Sequence, residues 1–307
     1  MIDVSFVITV YNKEKFLAPM LMSLGAQSGD FEREFIFVDD GSSDNSVAVI
    51  REQTADWPNV TIIEQKNTGV AGATNRGGFA ANGEFIKIVD ADDVMTHFAT
   101  RRMLEIMREH QLDHLQARWE LADDLVAAFK GANDESASVE LIANPFETFI
   151  KKGMGGSTST MIRTRTFKEV GGCDDTIFVQ DFSLPLRISY QGRMGTTDLM
   201  SVFGPIEADG RVLDASATVI HDLSATIQHF LRDHPDVPTK LQRIAFKRCA
   251  GRAWKWAKRE QGKSMFSRDF FYYILSQLPI WYKTAPLIEK TLRTWDQEDV
   301  RRPRKTQ

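Results

Sequence analysis

The chain has 307 residues and is 42% hydrophobic, enough to bury one large core or two smaller ones. Its net charge is −4, and its two cysteines, Cys173 and Cys249, are far apart with no CxxC or Cys/His spacing. That excludes a thiol-built zinc site and points to a reducing compartment. No apolar stretch reaches the roughly 20 residues of a spanning helix, and Met1-Ile2-Asp3-Val4-Ser5-Phe6 has no basic leader region. The expected location is cytoplasmic, or peripheral at the inner face of a membrane.

Ser5-Phe6-Val7-Ile8-Thr9-Val10 reads as a first strand, and residues 14–24, with Phe16, Leu17, Met20, Leu21 and Leu24 at helical spacing, as a first helix. Phe35-Ile36-Phe37-Val38 is a second strand, stopped by Asp39-Asp40-Gly41-Ser42-Ser43-Asp44, whose Ser and Asp side chains suit the cap of a helix over residues 47–54. Val60-Thr61-Ile62-Ile63 and Phe85-Ile86-Lys87-Ile88-Val89 are a third and a fourth strand. Continuous apolar strands alternating with helices predict an α/β fold with a mainly parallel central sheet flanked by helices. Helices are expected over 97–110 and over 182–190, the latter with Pro185 in its first turn, and Gly153-Met154-Gly155-Gly156-Ser157-Thr158-Ser159 reads as a flexible loop. His221 follows a strand-like Val219-Ile220. Beyond residue 230 the pattern turns to helical periods rich in Lys, Arg and aromatics. Residues 1–230 carry 20 basic and 34 acidic side chains, net −14, whereas 231–307 carry 18 and 8, net +10.

In doubly covered sheets ligands bind beyond the carboxyl ends of the strands, and the polar clusters fall there. Asn12 follows strand one, Asp39 and Asp40 strand two, and Asp90-Ala91-Asp92-Asp93 strand four. Two carboxylates one residue apart at the mouth of a buried strand can both reach one hard cation, since Mg²⁺ or Mn²⁺ is typically held by one or two carboxylates with substrate phosphates and water. The bland alternative is an N-cap by Asp92 or Asp93 on the helix from His97. Asp39 is expected to accept hydrogen bonds from a nucleobase imide or ribose hydroxyl, with the residues after it serving turn and cap. The loop 153–159 either presents backbone N–H groups to phosphate or acceptor or is a plain connection.

The runs Val7-Ile8-Thr9-Val10-Tyr11-Asn12, Phe37-Val38-Asp39-Asp40-Gly41-Ser42-Ser43-Asp44, Asn67-Thr68-Gly69 with Asn75 and Gly77, and Gly83-Glu84-Phe85-Ile86 leading into Asp90-Ala91-Asp92-Asp93 come in an order and spacing that resembles the amino-terminal half of the family-2 inverting glycosyltransferases with the GT-A fold. The resemblance covers roughly residues 4–95. It implies a GT-A, nucleotide-diphospho-sugar transferase-like fold: a donor half over 1–95, an acceptor and catalytic half over 96–230, and a basic, aromatic-rich helical extension over 231–307. It further implies donor contacts from Thr9, Tyr11, Asn12, Asp39, Asn67, Gly69, Asn75, Arg76, Asp90 and Ala91, and a metal held by Asp90 and Asp92 with the late His221. Gly171-Gly172-Cys173-Asp174-Asp175 followed by Val179-Gln180-Asp181-Phe182 is similar to the family's glycine turn and acidic pair, which makes Asp181 the expected catalytic base; its alternative is the N-cap of the following helix. Three positions depart from the pattern: Thr74 stands where an Arg is usual, Gln180 replaces a Glu, and Thr9 a frequent Pro.

The expected function is metal-dependent inverting transfer, with Mn²⁺ or Mg²⁺, from a nucleotide-sugar donor, by default a UDP-sugar, to a hydroxyl of a saccharide or lipid-linked acceptor in surface polysaccharide synthesis. The alternatives are a non-catalytic carbohydrate- or nucleotide-binding module of the same fold and a nucleotidyltransferase, which would need a basic glycine-rich loop early in the chain. A Rossmann enzyme is disfavoured because Tyr11-Asn12-Lys13-Glu14, after strand one, has no glycine. The aromatics Trp254, Trp256, Phe270, Phe271, Tyr272, Tyr273, Trp281 and Tyr282, set among Lys and Arg, suit either an amphipathic region on a membrane surface or helices packed on the acidic body or a second subunit. No groove-reading or stacking motif supports a nucleic-acid partner.

Overall fold

The computed structural model describes residues 1–206, 216–279 and 283–300; Trp281 and Tyr282 lie outside them. The chain opens as β1 (Val4–Val10), α1 (Glu14–Gly25), β2 (Arg33–Asp39), α2 (Ser46–Gln53), β3 (Val60–Glu64), α3 (Val70–Ala80) and β4 (Phe85–Asp90). These four strands are parallel in the order β3-β2-β1-β4. The inner strands β1, β2 and β4 are largely apolar on both sides because both faces are covered, whereas the edge strand β3 is only partly buried. Phe6, Ile8, Phe35 and Phe37 pack with Leu17, Met20 and Leu24 of α1, while Val7, Ile36, Val38 and Ile86 pack with Ala71 and Ala73 of α3. The second face is tight: a Cβ on Gly77 would overlap Val7 Cγ1, so only glycine lets α3 lie this close. Register sets the site, since Val10 is opposite Asp39 and Thr9 opposite Asp90.

The middle of the chain forms β5 (Val94–Met95), α4 (Ala99–Glu109), β6 (His114–Ala122), α5 (Leu125–Gly131), β7 (Val139–Leu141), α6 (Pro145–Lys152), β8 (Thr160–Arg163), α7 (Thr164–Glu169), α8 (Gln180–Gln191) and β9 (Met194–Pro205). It extends the sheet as β4-β8-β6-β9-β5, with β7 also on β9. The pairing here is mixed: β8 is antiparallel to β4 and to β6, β6 is parallel to β9, and β5 and β7 are antiparallel to β9. The sheet is mainly parallel, as expected, with the antiparallel pairings confined to the short strands β8, β5 and β7. Two reversals through β8 restore direction, so the carboxyl ends of β1, β2, β4, β6 and β9 share one edge.

The described chain ends in α9 (Ser216–Asp233), α10 (Thr239–Arg259), α11 (Arg268–Gln277), α12 (Ala285–Leu292) and a 3-10 turn, Arg293–Trp295. The strand expected before His221 is instead part of α9, because Val219, Leu223, Ile227 and Phe230 recur every three or four residues and turn one face inward. The boundary expected after residue 230 falls inside this helix. Phe230, Phe246, Cys249 and Ile288 share one core with Phe149, Phe182 and Leu186, so the helical extension is packed into the body. Burial of a side chain the size of Phe246 contributes roughly 1.5–3 kcal/mol. Among the described residues no helix is long and apolar enough to cross a membrane.

Candidate active site

At the end of β2 the two adjacent carboxylates have separate tasks. Asp40 is buried and saturated: Oδ1 accepts from Gln65 Nε2 and Thr68 N, both at 2.8 Å, and Oδ2 from Gly69 N at 2.8 Å. It thereby fixes the turn into α3, where Gly69 takes a φ of 86°. Asp39 is also buried, and its Oδ2 accepts from Gly41 N and Ser42 N at 3.2 and 3.1 Å. Its Oδ1 is shielded from solvent and has no hydrogen-bond partner. A buried carboxylate oxygen without a donor is costly, and a ligand N–H or O–H is what would satisfy it.

Asn12, expected at the donor, spends its side chain on the scaffold: Oδ1 accepts from Ser43 N at 2.8 Å, which ties the loop after β1 to the loop after β2. Tyr11, beside it, is half exposed, and Thr9 and Asn67 are partly buried on the same edge. Asn75 is a clearer departure. Both ends of its amide bond Cys173, Oδ1 accepting from N at 2.7 Å and Nδ2 donating to O at 3.0 Å, so it clamps the glycine turn to α3. Thr74 is buried in α3, and Arg76 is exposed.

The carboxylate pair follows β4. Asp90 N–H donates to Thr158 Oγ1 at 2.8 Å, and Ser157 Oγ donates to Asp90 Oδ2. Asp92 Oδ2 pairs with Lys13 Nζ at 2.6 Å, bringing the loop after β1 onto the pair. Neither Asp92 nor Asp93 caps a helix: β5 intervenes, and α4 starts at Phe98 without a side-chain cap. Burial, and then the charge of Asp92, push the Asp90 carboxyl up to about 6 against the Ser157 hydrogen bond, with lesser effects of Asp181, which raises it, and Lys13, which lowers it. Such a negative concentration suits a dication. As two carboxylates one residue apart, Asp90 and Asp92 could hold a hard cation whose remaining ligands come from phosphate and water; among the described residues no group of three or more His, Cys, Asp or Glu side chains could hold one by itself.

His221, expected as a metal ligand, lies in α9. Its Nδ1 lies 2.8 Å from Asp222 Oδ1, and its ring packs edge-on against Trp295 at 6.0 Å. Helical geometry in place of the expected strand commits it to the α9 side of the helical core.

Asp181 sits in the first turn of α8, whose cap position is Val179 with no side-chain cap bond, so it is not the N-cap. Burial raises its carboxyl above the ordinary range, opposed by hydrogen bonds from the N–H of Gly156 and its own N–H. The loop 153–159, expected to be flexible, is pinned on several sides. Gly156 reaches Asp181, Ser157 and Thr158 reach Asp90, Gln116 Nε2 donates to Gly155 O, and Lys87 Nζ donates to Thr158 O. Lys87 lies fully buried in β4, and burial brings its ammonium down to about 7, opposed by Asp93 and Asp90. The segment before α8 is held from α9: Asp222 Oδ2 accepts from Phe178 N at 2.8 Å, and Asp174 Oδ2 meets His229 Nδ1 at 2.7 Å. Lys13, Ser157 and Lys87 were not singled out from sequence. For Lys87 the signal was present, as one cation in the apolar run Phe85-Ile86-Lys87-Ile88-Val89.

A basin of about 930 Å³ at Arg108, Arg163, Arg165 and Lys168 lies at the opposite, amino-terminal edge of β4. Its guanidinium groups are already paired with Asp3, Glu84 and Glu169, which makes it a poor anion site.

The sequence model described as Glycosyl transferase family 2 matches residues 5–171. An uncharacterized glycosyltransferase of Nostoc, alr2836, is 32% identical over 146 residues, 45% of each chain. The poly(ribitol-phosphate) beta-glucosyltransferase of Bacillus spizizenii is 36% identical over 113 residues, 36% of this chain and 18% of its own. The match thus spans less than half the length of these curated relatives. Among solved structures, TarS of S. aureus, residues 1–349 in complex with UDP-GlcNAc, superposes with a TM-score of 0.69 at 16% identity, covering 95% of this chain and 88% of that one, which identifies a shared fold. With the family's pattern running from β1 through the glycine turn at Gly171, this chain belongs to glycosyl transferase family 2.

Proposed function

We propose that the chain transfers a sugar from a UDP-sugar to a hydroxyl of a saccharide or lipid-linked acceptor, with inversion at the anomeric carbon and with Mn²⁺ or Mg²⁺ on the donor diphosphate. The observation that carries this reading is the unpartnered buried Oδ1 of Asp39, on the same sheet edge as Asp90 and Asp92. The uracil ring offers an imide N–H, the donor that oxygen lacks. Asp90 and Asp92 would hold the cation, which when bound supplies charge neutralisation for the departing diphosphate. Lys13 and Ser157 orient the two carboxylates. Asp181, its basicity raised by burial and its carboxylate steadied by Gly156 N–H, takes the proton of the attacking acceptor hydroxyl. TarS, solved with UDP-GlcNAc and with UDP, supports a nucleotide-sugar on this fold. The poly(ribitol-phosphate) beta-glucosyltransferase and the minor teichoic acid biosynthesis protein GgaB among the relatives support a glycan or polyol-phosphate polymer as acceptor.

The test is a thermal-shift panel of UDP, GDP and dTDP with and without Mn²⁺, followed by turnover of the matching sugars. UDP with Mn²⁺ is expected to raise the midpoint most. A panel in which no nucleotide binds and no nucleotide-sugar turns over would sink the reading.

A further inference from the structure

α11 lives in two environments. Its Asp269 is buried, accepting from Thr294 Oγ1 at 2.6 Å and pairing with Lys263 at 3.2 Å, and Ser276 is buried on the same side. Trp254 of α10 packs against Phe270 at 4.9 Å between ring centres, so this side is fixed to the body. The other side carries Phe271 and Ile274, three residues apart on the helix, with Leu278 four residues further on at its C-cap, exposed at 61%, 45% and 52%. The turn before α11 adds Met265 and Phe266, the latter fully exposed. Five large apolar side chains within residues 265–278 make one patch, where scattered single residues would need no explanation.

The surroundings say what covers it. Residues 255–283 hold six basic side chains, Lys255, Lys258, Arg259, Lys263, Arg268 and Lys283, and two acidic ones, Glu260 and the buried Asp269. Two copies meeting stripe to stripe would bring these cations together with little to offset them. An anionic lipid surface neutralises the cations and takes up the aromatic and aliphatic side chains in one event. The remainder of the chain repels such a surface, since residues 1–230 carry a net −14. We propose that the Phe266, Phe271, Ile274 and Leu278 face docks the protein on a bilayer of anionic headgroups. The partner is a lipid surface, and the inference goes beyond the transfer reaction without depending on it.

The experiment is co-sedimentation of the full chain with phosphatidylcholine vesicles, with and without phosphatidylglycerol, at low salt and at about 0.5 M salt. The wild type is expected to pellet with the anionic vesicles at low salt only. The pair Phe266→Ser and Phe271→Ser should lower the bound fraction by about tenfold or more, and Lys255→Glu with Lys258→Glu, at exposed positions, should do likewise with the apolar stripe intact. Circular dichroism and UDP binding on the same samples should be unchanged, which separates loss of docking from loss of fold or of donor chemistry. No pelleting of the wild type, or pelleting unaffected by either pair, overturns the proposal. So does a dimer in vesicle-free sedimentation velocity that the stripe variant converts to monomer, which would give the face to a second copy.

Discussion

The chain up to β4 and the chain from β8 onward put carboxylates at the same edge by opposite means. In the first, strand register sets Asp39 and Asp90 on either side of β1. In the second, Asp181 is placed by contacts from far along the chain: the Gly156 amide, Asp222 on the Phe178 amide, and His229 on Asp174. The proposed donor side is a platform fixed by its ladder, whereas Asp181, the proposed base, is hung from the helical core. Damage to the first should therefore show in donor affinity, and damage to the second in turnover.

Removing the base should have the largest effect. Asp181→Asn is expected to reduce transfer by about 10²–10⁴-fold with UDP affinity within about twofold of wild type; residual turnover near the wild-type rate would remove Asp181 from the reaction. Next, Asp39→Ala should weaken UDP binding by roughly 10–100-fold with a smaller change in kcat, as expected for loss of a buried directed acceptor, measured by calorimetry with Mn²⁺. A third test strikes the suspension: Asp222→Ala frees the Phe178 amide and should lower kcat on the order of tenfold while leaving UDP affinity alone. If donor affinity fell instead, the division of labour between the halves would be wrong.

The smallest effects are electrostatic. Because burial raises Asp181, the acid limb of the rate profile should lie above the ordinary carboxylate range, with activity rising as pH rises through it. Asp90 has a folded value of about 6 against an ordinary 3.8, so its ionised form opposes folding. Without metal, this contribution to stability should grow as pH falls through about 6 toward 3.8, and Asp90→Asn should raise the neutral-pH melting midpoint by about 2–4 °C while abolishing metal response. A lowered midpoint would mean that the Ser157 and Thr158 contacts outweigh the charge.

The strand ends were legible because burial on both faces leaves only the last residue of each strand free to be polar. The split between Asp39 and the residues after it was readable for the same reason: a turn saturates one carboxylate and leaves its neighbour. Side-chain direction on helices was not legible. Asn75 shares a surface with donor-facing positions in the pattern, yet it turns to Cys173, and only the fold shows that the glycine turn lies there. His221 misled because Val219-Ile220 is too short a run to separate strand from helix. Lys13 met Asp92 across 79 positions, a pairing no local pattern encodes.

Arg248 of α10 donates to the carbonyls of Phe149, Ile150 and Lys152 at 2.9–3.0 Å, closing the end of α6 where the loop that touches Asp90 and Asp181 begins. It follows that the helical region is not a module that can be detached or exchanged at will. A chain shortened to residue 230 would keep every donor-side carboxylate, yet lose the guanidinium that ends α6 and, with Phe246, Cys249 and Ile288, part of the core that buries Phe149 and Phe182. A chimera carrying another relative's helices would inherit that relative's loop position along with them.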